Sequence, residues 1–239
     1  MNLDGDFVKV WGDHLDLSKD VASVADVVIN GIRREFTAGP LWWGEAVATD
    51  AGVVLAEEYD YQGGRLRMGA VEQVFPPVQE TEVTTTSWLR LCVWEGRQYS
   101  LHTHLYGTDE ATFFGILDLF KIIETDRGIR LKAVDPRRTP LHKETAVLKD
   151  VPGLGLINTV RLTRESARGV PARKGTSVRG GELFLEEVES SESPGFGFKY
   201  FILVGKNTKT HVSPHPSESD DTVLHALEEL EVDLERGQP

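Results

Sequence analysis

The feature of this chain that most constrains its fold is a series of β patterns that follow one another, without helical segments between them, from residue 41 to residue 106. Turns that contain Gly, Pro or acidic residues separate the runs. Strands in consecutive order are typical of antiparallel sheets in α+β proteins. The sequence therefore predicts an α+β, β-rich fold with mostly antiparallel sheets, arranged as a sandwich or barrel-like structure. The five predicted strands cover residues 41–49, 53–61, 65–75, 80–94 and 97–106.

The turn at Glu95-Gly96 leaves two registers for the hairpin that surrounds it. A two-residue loop would place Leu89, Leu91 and Val93 on the same face as His102 and His104. A three-residue loop would place the same apolar residues with Leu101 and Leu105 instead. Because a one-residue slip exchanges the faces of a strand, we favour the second register, which separates apolar from mixed positions.

Three helices are predicted, at residues 18–36, 109–124 and 221–234. The N-terminal helix is predicted from Val21, Val24, Val28 and Ile32, which recur at helical spacing. The central helix has only a narrow polar stripe, so we expect it to be buried on most sides. The third helix is amphipathic and acidic, and its apolar stripe consists of Val223, Leu227, Leu230 and Leu234.

We expect one β-rich domain over residues 1–212, with a sub-boundary near residue 126. An acidic Pro/Ser linker and the C-terminal helix make up residues 213–239. Both halves of the chain consist of strands followed by a helix, but no residue-level repeat is evident. Further strands are predicted at residues 7–11, 128–134, 145–149, 152–163, 182–189 and 196–205. Residues 164–180 have little apolar periodicity and are predicted to form a long mobile loop.

Charge is unevenly distributed along the chain. The protein has a formal net charge of −12, yet residues 127–179 contain 13 basic and 4 acidic residues. We call this segment the basic island. The flanking segments, residues 1–126 and 180–239, are both acidic. Such segregation governs which partners a protein attracts rather than how it folds.

The basic island offers six candidate residues for binding a partner or an anion. Three interpretations remain open: a protein partner or self-assembly, nucleic acid, and a solvated loop that contacts acidic neighbours in the same chain. No aromatic residue lies within 161–179 to stack on a base, which makes nucleic acid the less favoured partner. Self-assembly would pair the island with acidic surface on the next subunit, head to tail. The six candidates are Arg161, Arg164, Arg168, Arg173, Lys174 and Arg179.

His102 and His104 are candidate metal ligands because alternate residues of a strand share a face, roughly 7 Å apart. Imidazoles in this arrangement suit Zn, Fe or Mn. Gly96, followed after five residues by His102-Thr103-His104, resembles the start of a cupin metal motif over about nine residues. The later parts of that motif have no counterpart, because Glu110 falls at a helix start rather than on the next strand.

The leading hypothesis is a non-enzymatic interaction or assembly protein that uses the basic island and the C-terminal helix. A component of a virus-like particle and an immunity-type binder both suit this description. A metal-dependent enzyme or metal-binding domain at His102 and His104 is the alternative, and nucleic-acid binding is a third. We expect no cofactor in the leading case, and a homo-oligomer or another protein as partner.

The acidic N-terminus and the short apolar runs predict neither a signal peptide nor a membrane span. The protein is therefore expected in the cytoplasm or in an assembled particle.

Overall fold

The computed structural model describes residues 1–29, 32–75, 85–136, 144–189 and 197–236. The chain divides into two compact units. Unit 1 contains Met1–Ser23 and Glu144–Pro239, and unit 2 contains Val24–Lys143. The predicted domain bounds at residues 1–212 and 213–239 stay a prediction. Across the described ranges, no helix is long and apolar enough to cross a membrane.

Sixteen strands and three α-helices occur among the described residues, together with a 3₁₀ turn at Ser166–Gly169. Unit 2 contains α1 (Trp43–Asp50) and α2 (Glu110–Leu117), and unit 1 contains α3 (Asp220–Glu229). The strands, in chain order, are β1 (Phe7–Trp11), β2 (Val21–Ile29), β3 (Ile32–Pro40), β4 (Glu57–Tyr61), β5 (Gly64–Phe75), β6 (Thr85–Glu95), β7 (Tyr99–Tyr106), β8 (Phe120–Thr125), β9 (Gly128–Ala133), β10 (Glu144–Val151), β11 (Gly155–Arg161), β12 (Thr176–Val178), β13 (Gly181–Glu189), β14 (Gly197–Val204), β15 (Thr208–Ser213) and β16 (Glu231–Glu235).

The two units have the same strand topology. In unit 2 the sheet order is β2-β3-β7-β6-β5-β4, and in unit 1 it is β10-β11-β15-β14-β13-β12. Each unit adds a separate two-stranded ribbon, β8–β9 in unit 2 and β1–β16 in unit 1. The predicted α+β, β-rich fold with antiparallel pairing is confirmed. Its arrangement as a sandwich or barrel stays a prediction.

The strand registers of the two units also correspond. Leu66 pairs with Trp94 on β5 and β6, as Leu183 pairs with Leu203 on β13 and β14. Leu66 and Leu183 each lie two residues after the Gly that begins the strand, Gly64 or Gly181, and that Gly follows a tight turn, Gln62-Gly63 or Arg179-Gly180. Equivalent residues can therefore be assigned between the units, position by position.

The helix and strand that follow each sheet correspond in detail. Asp109 caps α2 by accepting a hydrogen bond from Thr112 N at 2.7 Å, and Ser219 caps α3 by accepting one from Thr222 N at 3.2 Å. The buried positions then match in order through the helix and into the ribbon strand. The equivalent buried pairs are Phe113 and Val223, Leu117 and Leu227, Phe120 and Leu230, and Ile122 and Val232.

The predicted N-terminal helix at residues 18–36 is wrong, since β2 and β3 occupy this segment. Burial alternates from Val24 to Ile29 along β2, with Ala25, Val27 and Ile29 buried and the residues between them only partly buried. The β-branched residues that recur at helical spacing also favour strands, and this segment forms strands because they pair within the sheet.

The predicted central helix, residues 109–124, is shorter than expected. It ends at Leu117, and the apolar residues from Phe120 to Thr125 form β8. The predicted C-terminal helix likewise ends at Glu229, so that Leu230 caps it and Leu234 lies on β16. Conversely, the predicted strand at residues 41–49 is largely helix α1. Gly44 lets this helix approach the sheet closely, because an added Cβ would lie 2.3 Å from Val93 Cγ1.

The favoured register of the β6–β7 hairpin is also wrong. Val93 pairs with His102 and Leu91 with His104, so the apolar residues of β6 share a face with the histidines. Both faces of β6 are buried, one of them beneath α1, and the separation of apolar from mixed positions therefore does not identify the register.

Candidate functional site

Three of the six predicted cations of the basic island form ion pairs within unit 1. Arg161 is partly buried, whereas Arg173 and Arg179 are exposed. Contacts of this kind leave little net charge for a partner. The pairs are Arg161 with Asp6, Arg173 with Glu186 at 2.6 Å, and Arg179 with Asp13 at 2.8 Å.

The other three cations, Arg164, Arg168 and Lys174, are exposed. Their side chains form no ion pair or hydrogen bond with another described residue. We call these three residues the cationic cluster. The structure thus divides the predicted site into three cations that are paired inside the unit and three whose side chains are exposed and have no ion-pair partner among the described residues.

The segment that carries the cationic cluster is held in place by hydrogen bonds. Thr163 N donates to Ser166 Oγ at 2.8 Å, and that hydroxyl donates to the Arg161 carbonyl at 2.8 Å. Lys209, which is buried on β15, donates from Nζ to the Ser166 carbonyl at 3.0 Å. Residues 164–180, predicted as a loop without regular structure, therefore contain the 3₁₀ turn and β12. An ordered segment presents its charges without a large entropy cost on binding.

The two predicted metal ligands lie in different environments. His102 is largely buried, next to the Trp43 ring, and burial together with the nearby His104 lowers its pKa to about 4. His104 is exposed and lines an open cleft of about 300 Å³. Within the part of the chain that the structure describes, no group of three or more His, Cys, Asp or Glu side chains is placed to hold a metal ion.

A second histidine occupies the position equivalent to His102. His211 pairs with Ile202 in unit 1 as His102 pairs with Val93 in unit 2. Burial lowers the pKa of His211 as well, and its ring stacks on Tyr200 with centroids 5.8 Å apart. A neutral, partly buried histidine is thus a shared feature of this fold position, which accounts for His102 without a metal.

The apolar stripe predicted for the C-terminal helix is buried inside unit 1. Val223, Leu227, Leu230 and Leu234 all belong to its hydrophobic core. The following strand β16 is fixed by Thr208 Oγ1, which donates to the Val232 carbonyl at 3.0 Å. These residues therefore stabilise their own unit, and the face of α3 left to solvent is the acidic one.

One face of the unit 1 sheet is covered less completely than its counterpart in unit 2. In unit 2, α1 packs over Leu89, Leu91 and Val71. The equivalent pair to Val71–Leu89 in unit 1 is Val188–Phe198, which is 38% and 60% exposed. At the place in the chain where unit 2 has helix α1, the described residues of unit 1 form the 3₁₀ turn and the segment that bears the cationic cluster.

This apolar patch could not be recognised in the sequence. Its members are ordinary strand residues, and only alignment with the other unit shows that no helix covers them among the described residues. Leu156, 42% exposed on β11, lies on the same face as His211 because Asn158 pairs with His211. We call Leu156, Val188, Phe198, Tyr200 and His211 the open face of unit 1.

Comparison of the chain with protein-family models, with curated proteins and with solved structures found no match.

Proposed function

We propose that this chain is a non-enzymatic assembly protein that binds an acidic protein surface through Arg164, Arg168 and Lys174. The observation that carries the proposal is that three exposed cations, whose side chains have no ion-pair partner among the described residues, lie on an ordered segment of a protein with a net charge of −12. Electrostatic complementarity of this kind steers association and selects partners. Such a role suits a component of an assembled particle.

An acidic polypeptide is favoured over nucleic acid by the surroundings of the cationic cluster. No aromatic residue lies within residues 161–179 to stack on a nucleic-acid base. The open face beside the cluster combines aliphatic with aromatic side chains. Aromatic residues and Arg are the residue types enriched in the centres of protein interfaces.

The proposal is tested by fluorescence anisotropy with three labelled probes: a 20-residue peptide of Glu, Leu and Trp, the same peptide with Lys for Glu, and a 20-nucleotide single strand. We expect the acidic peptide to bind most tightly. The triple variant Arg164→Glu, Arg168→Glu, Lys174→Glu should weaken its binding about ten-fold or more, because three attractions become repulsions.

A matched control carries the same change of charge elsewhere. Lys121→Glu, Arg130→Glu and Lys132→Glu alter the outer face of the β8–β9 ribbon, and this variant should bind the acidic peptide as the wild type does. Equal affinity of the wild type and the cationic-cluster variant for the acidic peptide would refute the proposal. Tighter binding of the single strand would assign the cluster to nucleic acid instead.

A further inference from the structure

The two units differ most in the connection that follows their first hairpin. In both, the connection begins at a Leu whose backbone N–H donates to a carbonyl of the β6–β7 or β14–β15 turn. Leu41 N donates to the Gln98 carbonyl at 3.1 Å, and Leu162 N donates to the Asn207 carbonyl at 2.8 Å. The connections, residues 41–56 and 162–175, are therefore equivalent in position.

Their charges are opposite. The unit 1 connection carries the cationic cluster. The unit 2 connection lies in a stretch, residues 35–64, that contains six acidic residues and neither Lys nor Arg. Asp50 is exposed there without an ion-pair partner among the described residues. Equivalent segments with opposite charge can attract each other between copies of one chain.

The unit 2 connection also exposes large apolar side chains. Trp42 is 60% exposed immediately before α1, and Val54 is 79% exposed after it. Trp is one of the residue types enriched among the anchors of protein interfaces. Glu45 of α1 is paired with Arg67 at 2.7 Å, which leaves Asp50 as the carboxylate of this helix without an ion-pair partner among the described residues. We call Trp42, Asp50 and Val54 the donor face.

The open face and the cationic cluster of unit 1 form a matching acceptor surface. Arg173, next to Lys174, is joined to Glu186, which lies two residues before Val188 on the same face of β13. Lys209, which holds Ser166, lies two residues before His211 on β15. These contacts place the cationic cluster along one edge of the open face, so that apolar and cationic groups can bind one partner together.

We infer that the partner of this acceptor surface is a second copy of the chain, which inserts its donor face head to tail. This inference rests on the proposed function and names its partner. Trp42 and Val54 of one copy cover Phe198 and Val188 of the next, and Asp50 faces the cationic cluster. Because the two surfaces are different, the contact can repeat and close a ring or extend a fibre.

Among the described residues, the helices of a second copy do not offer another surface that could contact the acceptor surface in place of the donor face. The apolar sides of α2 and α3 are buried in their own units, and the packed side of α1 covers the unit 2 sheet. The acidic outer side of α3 exposes Leu224 as its large apolar residue. The donor face therefore combines charge and apolar area better than any of these elements.

A mixing experiment with two complementary variants tests the inference. Donor variant Trp42→Ser, Asp50→Lys and acceptor variant Arg164→Glu, Arg168→Glu, Lys174→Glu change exposed side chains, and circular dichroism verifies that both fold. Light scattering after gel filtration should give the wild type a mass above 26.6 kDa at low salt and a lower mass in 1 M NaCl. Each variant alone should be monomeric.

An equimolar mixture should form a species with one copy of each variant, joined by the intact acceptor of one and the intact donor of the other. A mixture that stays monomeric while the wild type associates would overturn the head-to-tail contact. A wild type that is monomeric at low salt would overturn self-association. The proposed function would survive that result if the acidic peptide still bound to the cationic cluster, and would fall with it if the peptide did not.

Discussion

Unit 1 and unit 2 each contain a sheet of the same strand order, a capped helix and a two-stranded ribbon. They differ in how one face of the sheet is covered. In unit 2, helix α1 covers Leu89 and Leu91, whereas in unit 1 Val188 and Phe198 are exposed, next to three cations whose side chains have no ion-pair partner among the described residues. The equivalent buried, capping and turn positions have residues of similar type in both units. The two connections, residues 41–56 and 162–175, differ in structure and in charge, and we infer that this difference marks the surfaces that bind partners.

The retained positions show what the fold requires physically. Gly96 and Gly205 occupy equivalent turns, and each donates from its N–H to the carbonyl three residues on, at 2.9 and 3.0 Å. A basic residue and then a carboxamide follow each Gly, as Gly-Arg-Gln or Gly-Lys-Asn. In both units a hydrogen bond joins the ribbon to this turn. In unit 2 the Gln98 N–H donates to Glu124 Oε1, and in unit 1 Asn207 Nδ2 donates to the Leu234 carbonyl.

The largest effect on the free energy of unfolding is expected at equivalent buried positions of the two units. Leu117→Ala and Leu227→Ala each remove a buried helix side chain from equivalent cores, and each should lower the free energy of unfolding by about 2–5 kcal/mol. Urea denaturation of the full chain measures this loss. Leu224→Ala, on the exposed side of α3, is the control and should change stability by less than about 1 kcal/mol. A small effect of one core variant alone would show that the equivalence does not extend to packing.

A pH effect of intermediate size is expected from His102. Its folded pKa of about 4 lies below the ordinary value of 6.5, so between these pH values the unfolded chain binds a proton that the folded chain does not. The free energy of unfolding should therefore fall as the pH drops from 6.5 to 4, by up to about 3 kcal/mol from this residue. His211, whose pKa is also lowered by burial, should contribute with the same sign.

The contribution of His102 is measured by urea denaturation of His102→Gln at pH 7.5, 5.5 and 4.5. The variant should lose less stability on acidification than the wild type does. His104→Gln removes the imidazole that adds to the effect of burial on the pKa of His102, so it should reduce this loss of stability by less than His102→Gln does. Identical pH dependence of the wild type and His102→Gln would contradict the burial of a neutral imidazole at this position.

The smallest effect on stability is expected at the helix caps, which occupy equivalent positions in the two units. Asp109→Ala and Ser219→Ala each remove the side-chain acceptor of the first helical turn, and each should cost about 1 kcal/mol. Thermal unfolding of the two variants and of Asp109→Ser, which keeps a capping oxygen, gives the comparison. If Asp109→Ser proved as unstable as Asp109→Ala, the hydrogen bond to Thr112 would not be what holds the start of α2.

Strands β5–β7 and the antiparallel class of the fold could be predicted from sequence, because alternating β-branched and aromatic residues between turn residues have few other solutions. The helical spacing of Val21, Val24 and Val28 led to the wrong prediction of a helix, since valine at that spacing is equally consistent with a strand buried on both sides. The register of β6 and β7 was missed because α1, itself predicted as a strand, buries the second face.

The candidate site could be predicted only as a charged segment. Which cations are neutralised depends on distant partners such as Asp6, Asp13 and Glu186, and no local pattern encodes these contacts. The shared topology of the two units could not be predicted either, because equivalent positions such as Phe113 and Val223 share burial rather than identity. The open face became visible only when the registers of both units were compared.

Amide hydrogen exchange of the full chain tests most directly whether the differing connections meet. Exchange at low protein concentration in 1 M NaCl is compared with exchange at high concentration in low salt. Head-to-tail association predicts slower exchange upon concentration in residues 41–56 and 162–175, with no change in the β8–β9 ribbon. Slowing confined to the ribbon, or slowing in neither connection while the mass rises, would contradict the account.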